Sequence, residues 1–157
     1  MSRTESASRV ILALPDRIYR ALLDPAAVAR WRPPTGMRAE VRAFDAREGG
    51  TFRISLIYAE PGHRLRGKTS EHADVVRGRF LELVADTRVV ELVEFESDDP
   101  AFAGAMTVTT TLAVVEDGTE VTIRCDGVPP GIRPKDHAAG IASTLAKLAA
   151  LTEGTDG

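Results

Sequence analysis

Four side chains in this sequence could hold or move a proton inside a folded domain: Tyr58, Glu91, Cys125 and His137. His137 falls in the first turn of the helical stretch "KDHAAGIASTLAKLAALTE". A helix N-terminus disfavours positive charge, so a neutral imidazole there could act as a base or hydrogen-bond partner. The plainer alternative is a partly exposed histidine bonded to a loop carbonyl. Tyr58 could aim its hydroxyl at a ligand carbonyl, or simply end its strand with the hydroxyl in water. Glu91 stands out in "RVVELVEF". If Val89, Val93 and Phe95 face inward, Glu91 does too, with a carboxyl pushed up by burial and a general-acid or ligand-anchoring role. A one-residue slip or a bulge would send it to solvent instead. Cys125 suits a small buried hydrophobe, and a nucleophile would need a base that no sequence cue supplies.

Other chemistries are excluded by residue type and spacing. The histidines His63, His72 and His137 are scattered, with no H-E-x-x-H arrangement. One cysteine allows neither an internal disulfide nor a multi-cysteine zinc site, and it suits a reducing cytoplasm. No metal or cofactor is expected. Twenty Lys and Arg against 23 Asp and Glu leave a net charge of −3, which gives no basic field for nucleic acid. The positively charged runs "REGGTFR" and "HRLRGK" read as solvated loops. No apolar run approaches the roughly 20 residues of a membrane span, and the polar start "MSRTESASR" does not read as a signal peptide.

The pair Gly49-Gly50 could belong to a phosphate-cradling loop or to a hairpin corner. A phosphate loop needs a helix directly after it. Here "TFRISLIY" follows, with Phe52, Ile54, Leu56 and Tyr58 alternating against Arg53 and Ser55. That is a strand, so the glycines are expected to turn a hairpin. Asp45 and Arg47 flank it and are read as structural.

The elements that must position these residues follow from hydrophobic period. "SASRVILAL" reads as a first strand, and "LPDRIYRALLDPAAVARW" as two short helices divided at Asp24-Pro25. From Met37 to Asp126 the period is two. Met37, Ala39, Val41 and Ala43 alternate with charged residues, as do Val108, Thr110 and Leu112 with threonines, and Val121, Ile123 and Cys125 with Thr122 and Arg124. "ADVVRGRFLELV" and "RVVELVEFE" fit two more strands, and Asp117-Gly118 signals a hairpin. "PGHRLRGKTSEH" and "DDPAFAG" read as loops. The final helix carries His137, Ile141, Thr144, Leu145, Leu148 and Leu151 on one side. Grouped strands with helices at the ends indicate one α+β domain over 1–157, with a core of about 8–152 and an antiparallel sheet of about seven strands.

The order of elements resembles the activator of heat-shock-protein-90 ATPase homologue-like family of the START-like (SRPBCC) superfamily. "LALPDRIYRALLDPAAVARW" is similar to its opening helices ending in tryptophan, and "FDAREGGTFR" to its D-x-R-x-G-G-x-[FY] hairpin. "GRFLELVADTRVV" and "TVTTTLAVVEDGTEVTI" resemble its later strands. Where the family often has Gly-Trp in the last helix, this chain has Gly140-Ile141. The partner-binding region of the eukaryotic co-chaperone has no visible counterpart.

The resemblance implies a helix-grip fold, a curved sheet wrapped around the C-terminal helix with a cavity between them. Cavity candidates on the expected inner face are Trp31, Phe52, Ile54, Leu56, Tyr58, Glu91, Val108, Thr110, Leu112, Ile123, Cys125, His137, Ile141 and Leu145. Apolar walls with a few convergent polar groups suit a small apolar ligand. The alternatives are a cyclase, hydrolase or lyase using His137, Tyr58 or Glu91, and a chaperone-associated interaction module. Sheet edges also leave room for a homodimer.

Overall fold

The computed structural model describes residues 3–33, 36–58, 73–97 and 99–153, apart from the side chains of Tyr58 and Ala73. The polar segment 61–72 with His63 and His72 lies outside the described residues. Strand β1 (Thr4–Ile11) leads into helices α1 (Pro15–Leu23) and α2 (Pro25–Trp31). Strands β2 (Met37–Phe44), β3 (Thr51–Tyr58), β4 (Ala73–Val84), β5 (Arg88–Phe95), β6 (Met106–Val115) and β7 (Gly118–Asp126) follow, then helix α3 (Pro134–Thr152). All pairs are antiparallel, in the order β1-β7-β6-β5-β4-β3-β2. One face of this curved sheet carries the core, and α3 lies over it against β1, α1 and α2.

Local chemistry sets the helix boundaries. Proline stands at the start of α1, α2 and α3, where its missing N–H removes nothing. Asp24 ends α1 in an extended conformation and caps α2, its Oδ1 accepting from the Ala26 N–H at 3.0 Å. Ile18, Leu22, Val28 and Trp31 then point to one side and are buried. Trp31 is fixed by its Nε1–H, which donates to the Ala21 carbonyl at 2.8 Å.

The glycine pair turns the β2–β3 hairpin. Gly49 has φ +82°, and a Cβ on Gly50 would meet the Asp45 carbonyl oxygen at 2.1 Å. The turn is also tied to β4: the Gly49 N–H donates to Phe80 O, and the Phe80 N–H to Gly50 O. Asp45 and Arg47 form an exposed pair at 2.7 Å, as their structural reading implied.

Three sequence expectations shift. Strand β1 begins at Thr4, ahead of the expected core, because Arg3 and Glu5 find partners near the start of α3. The β6–β7 turn is Glu116-Asp117, and Gly118 already pairs with Val115. A bulge between Val41 and Ala43 turns Ala43 outward and Phe44 toward the core. Phe44 there joins Phe52 and Phe80, with ring centroids 5.2–6.2 Å apart. Phe52 and Phe80 are fully buried, each contributing about 2–3 kcal/mol by removal from water.

Candidate functional site: a cavity with two ion-paired poles

A cavity of about 280 Å³ lies between the inner sheet face and α3. Its floor belongs to two cross-strand rows, whose β1 members Ala7 and Glu5 lie just beyond the lining. One runs Val89, Thr110, Ile123 and Ala7 over β5, β6, β7 and β1. The neighbouring row on the same face runs Glu91, Val108, Cys125 and Glu5. Directly opposed residues in antiparallel strands point the same way, so the register alone puts each row on one face. Ile141, Gly140 and Thr144 of α3 form the roof, with Trp31, Leu56, Val76, Val93 and Met106 on the sides.

Nine expected candidates therefore line the cavity: Trp31, Leu56, Glu91, Val108, Thr110, Ile123, Cys125, His137 and Ile141. Tyr58 ends β3, and its side chain is outside the described set. Phe52, Ile54, Leu112 and Leu145 are buried in the core instead of lining the wall. Phe52 and Ile54 precede Leu56 toward the β2–β3 turn, where the aromatic cluster fills the space. Leu112 lies one row beyond Thr110 on β6, the strand that meets α1. Leu145 is one turn beyond Ile141, where α3 meets β1 and the short helices.

Glu91 faces inward. The bulge in this part of the sheet is at Leu81 of β4, so β5 keeps its phase and Val89, Glu91 and Val93 are all buried. Its carboxylate accepts from Arg32, with Nη2 3.0 Å from Oε1 and Nη1 3.3 Å from Oε2. Arg32 is the C-cap of α2. Its guanidinium lies 5.1 Å from the Phe52 ring centroid and 5.9 Å from that of Trp31, so aromatic faces as well as Glu91 hold it.

The second polar group is at the other end of the same row. His137 Nδ1 hydrogen-bonds to Glu5 Oε1, and Arg3 Nε lies 2.7 Å from Glu5 Oε2. Arg3 also donates to the Ile132 carbonyl, tying β1 to the segment before α3. Burial raises the Glu5 carboxyl, but hydrogen bonds from His137 and Arg3 outweigh it and hold it below the ordinary 4.5. An ionised carboxylate only accepts, so Nδ1 carries the proton of this bond and Nε2 is the ring nitrogen without that partner.

Cys125 sits between the two poles, adjacent to Glu5 across the β7–β1 ladder. Burial, with added repulsion from Glu5, Glu91 and Asp126, pushes its thiol up to about 12, against a smaller opposing effect of Arg32. It is a neutral apolar part of the floor, not a poised nucleophile. Among the described residues no cluster of His, Cys, Asp and Glu is arranged to hold a metal.

Sequence reasoning missed Arg32 and Glu5. Arg32 follows the helix-ending tryptophan and reads locally as part of a break. Glu5 lies ahead of the expected strand; only the alternation Arg3, Glu5, Ala7 along β1 hints at its face.

A helical lid over a seven-stranded antiparallel sheet, with a cavity between them, defines a START-like helix-grip domain. The chain belongs to the family described as activator of Hsp90 ATPase homolog 1-like protein, whose model matches residues 13–153. Protein CV1439 from Chromobacterium violaceum is 36% identical, with 97% of this chain and 98% of that one covered and a TM-score of 0.85. Two more distant structures share the fold. Protein MLL2253 from Mesorhizobium loti is 23% identical over 98% of this chain and 99% of that one, at TM-score 0.72. The AHSA1-like protein from Aeromonas hydrophila is 19% identical over 99% of both, also at TM-score 0.72. No curated protein matches the chain.

Proposed function

We propose that this protein binds a compact, largely apolar small molecule in the cavity between its sheet and α3, without transforming it. The observation that carries this reading is the 280 Å³ cavity, whose walls are mainly aliphatic and aromatic and which holds a few placed polar groups. Small-molecule sites have that composition, and roughly 300–1,000 Å³ is their usual range. At about 30 Å³ per water-sized group, the space suits a molecule of about ten non-hydrogen atoms and not a long-chain lipid. Binding would draw on apolar burial at about 25 cal/mol per Å².

Catalysis is the weaker reading. Glu91 and His137 would have to act on neighbouring substrate atoms, yet Glu91 stands at one end of the row and His137 is held by Glu5 at the other, each engaged by its own partner. The neutral Cys125 between them offers no nucleophile. A free, buried thiol fits a reducing compartment, and we place the protein in the cytoplasm on that ground.

The test is titration with toluene, followed through the methyl NMR signals of Val89, Val108 and Ile141. Saturable shifts confined to these and adjacent wall residues are expected, and Val108→Phe should abolish them by filling the space. Absent shifts, or shifts scattered over the surface and unchanged in Val108→Phe, would refute the container reading.

A further inference from the structure

Two polar groups flank one apolar floor, and their spacing constrains what can lie between them. Glu91, Val108, Cys125 and Glu5 are successive partners across four adjacent strands. Three inter-strand steps of about 4.8 Å put the Glu91 and Glu5 backbones about 14 Å apart. The Arg32–Glu91 pair at one end and His137, held by Glu5, at the other occupy part of that span and leave room for about one six-membered ring with short arms. The cavity volume gives the same size independently.

Charge narrows the class further. Arg32 is already held by both oxygens of Glu91, and Arg3 lies against Glu5. The exposed Asp136 adds one more acidic side chain at the rim. An incoming carboxylate would have to compete with Glu91 for the one guanidinium that already holds it. A neutral hydroxyl has no such cost. At the first pole it can accept from an Arg32 N–H and donate to a remaining Glu91 lone pair. At the second it can pair with His137 Nε2, because Nδ1 is taken by Glu5.

We infer that the cavity selects an electrically neutral ligand with a hydrogen-bonding group at each end of a short apolar middle. One end is held by Arg32 and Glu91, the other by His137, and the middle lies on Val108 and Cys125. This inference rests on the binding reading above and assigns that site its ligand class.

Four probes of similar size separate the possibilities by calorimetry or NMR titration: para-(hydroxyethyl)phenol, para-ethylphenol, para-ethyltoluene and para-hydroxyphenylacetate. Each pole should contribute about tenfold, the size of one hydrogen bond to a charged or buried partner. The two-ended phenol should thus bind about tenfold tighter than para-ethylphenol and about a hundredfold tighter than para-ethyltoluene. The acetate should bind at least tenfold more weakly than the two-ended phenol. In Glu91→Gln and in His137→Leu, the two-ended phenol should lose about tenfold while para-ethyltoluene is unchanged. Para-ethyltoluene binding as tightly as the two-ended phenol would overturn the two-pole assignment and leave the container standing. Tightest binding of the acetate would overturn neutrality. Failure of all four, with toluene also silent, would overturn the binding reading and this inference with it.

Discussion

The Arg32–Glu91 pair gives the sharpest test of how the cavity is held together. Both side chains are largely withdrawn from water, at 15% and 8% exposure, and their two contacts are 3.0 and 3.3 Å. Replacing Glu91 by leucine strands a guanidinium between the Phe52 and Trp31 rings. Replacing Arg32 by methionine strands a carboxylate on the inner sheet face. Either loss of a buried partner should cost about 3–5 kcal/mol. For a 157-residue domain of about 5–15 kcal/mol total stability that is a large fraction, worth about 10 °C in Tm. The double variant removes both charges and leaves apolar side chains of similar length, so it should return to within about 1 kcal/mol of the parent. The cycle then yields a coupling energy above about 3 kcal/mol, far beyond a surface pair. Urea unfolding at neutral pH measures all four corners, with an unchanged m-value showing that the unfolded state is not responsible. Single losses below about 1 kcal/mol that simply add in the double variant would refute the reasoning, since they describe a pair that water already screens.

The remaining predictions concern the cavity floor and the hairpin. With its thiol pushed from 9.0 up to about 12, Cys125 should present about a thousandfold less thiolate at pH 8 than an ordinary cysteine. Its iodoacetamide alkylation rate should climb about tenfold per pH unit through pH 9, and a plateau near 9 would contradict this. The sign for stability is the same: the contribution of the neutral thiol is complete below 9.0 and is lost as pH rises toward 12, because the unfolded chain deprotonates first. Gly50→Ala should destabilise the fold by at least about 2 kcal/mol in the same urea assay, because its Cβ would press 2.1 Å from the Asp45 carbonyl oxygen.

What the sequence makes legible is whatever depends on local period and local turn chemistry. Proline and Asp24 mark the helix boundaries because they act on their own neighbouring amides. The alternation in β3, β6 and β7 reads directly as one buried face, because side chains alternate whatever the partner strand. Ala43 is misread because a bulge is a property of a strand pair: nothing in "EVRAFD" distinguishes Val41–Ala43 in phase from Val41–Phe44 with Arg42 inserted. Phe44 wins that choice by packing edge-to-face with Phe80, which is 36 residues away in sequence.

The same distinction explains the site. His137 and Glu91 were legible as candidates because each breaks an apolar pattern, but their partners were not, since Glu5 lies 132 residues from His137 and Arg32 lies 59 from Glu91. The row that joins the two pairs depends on unbroken register through β5, β6, β7 and β1. Both register shifts in the sheet fall outside those strands, at Arg42 in β2 and Leu81 in β4. A bulge inserted in β5 between Val89 and Glu91 would turn the carboxylate to the outer face and leave Arg32 facing the cavity alone. The pocket would then favour an anion. Neutrality of the ligand is therefore written into strand register as much as into residue type, and a one-residue insertion after Val89 should invert the preference between para-hydroxyphenylacetate and the two-ended phenol.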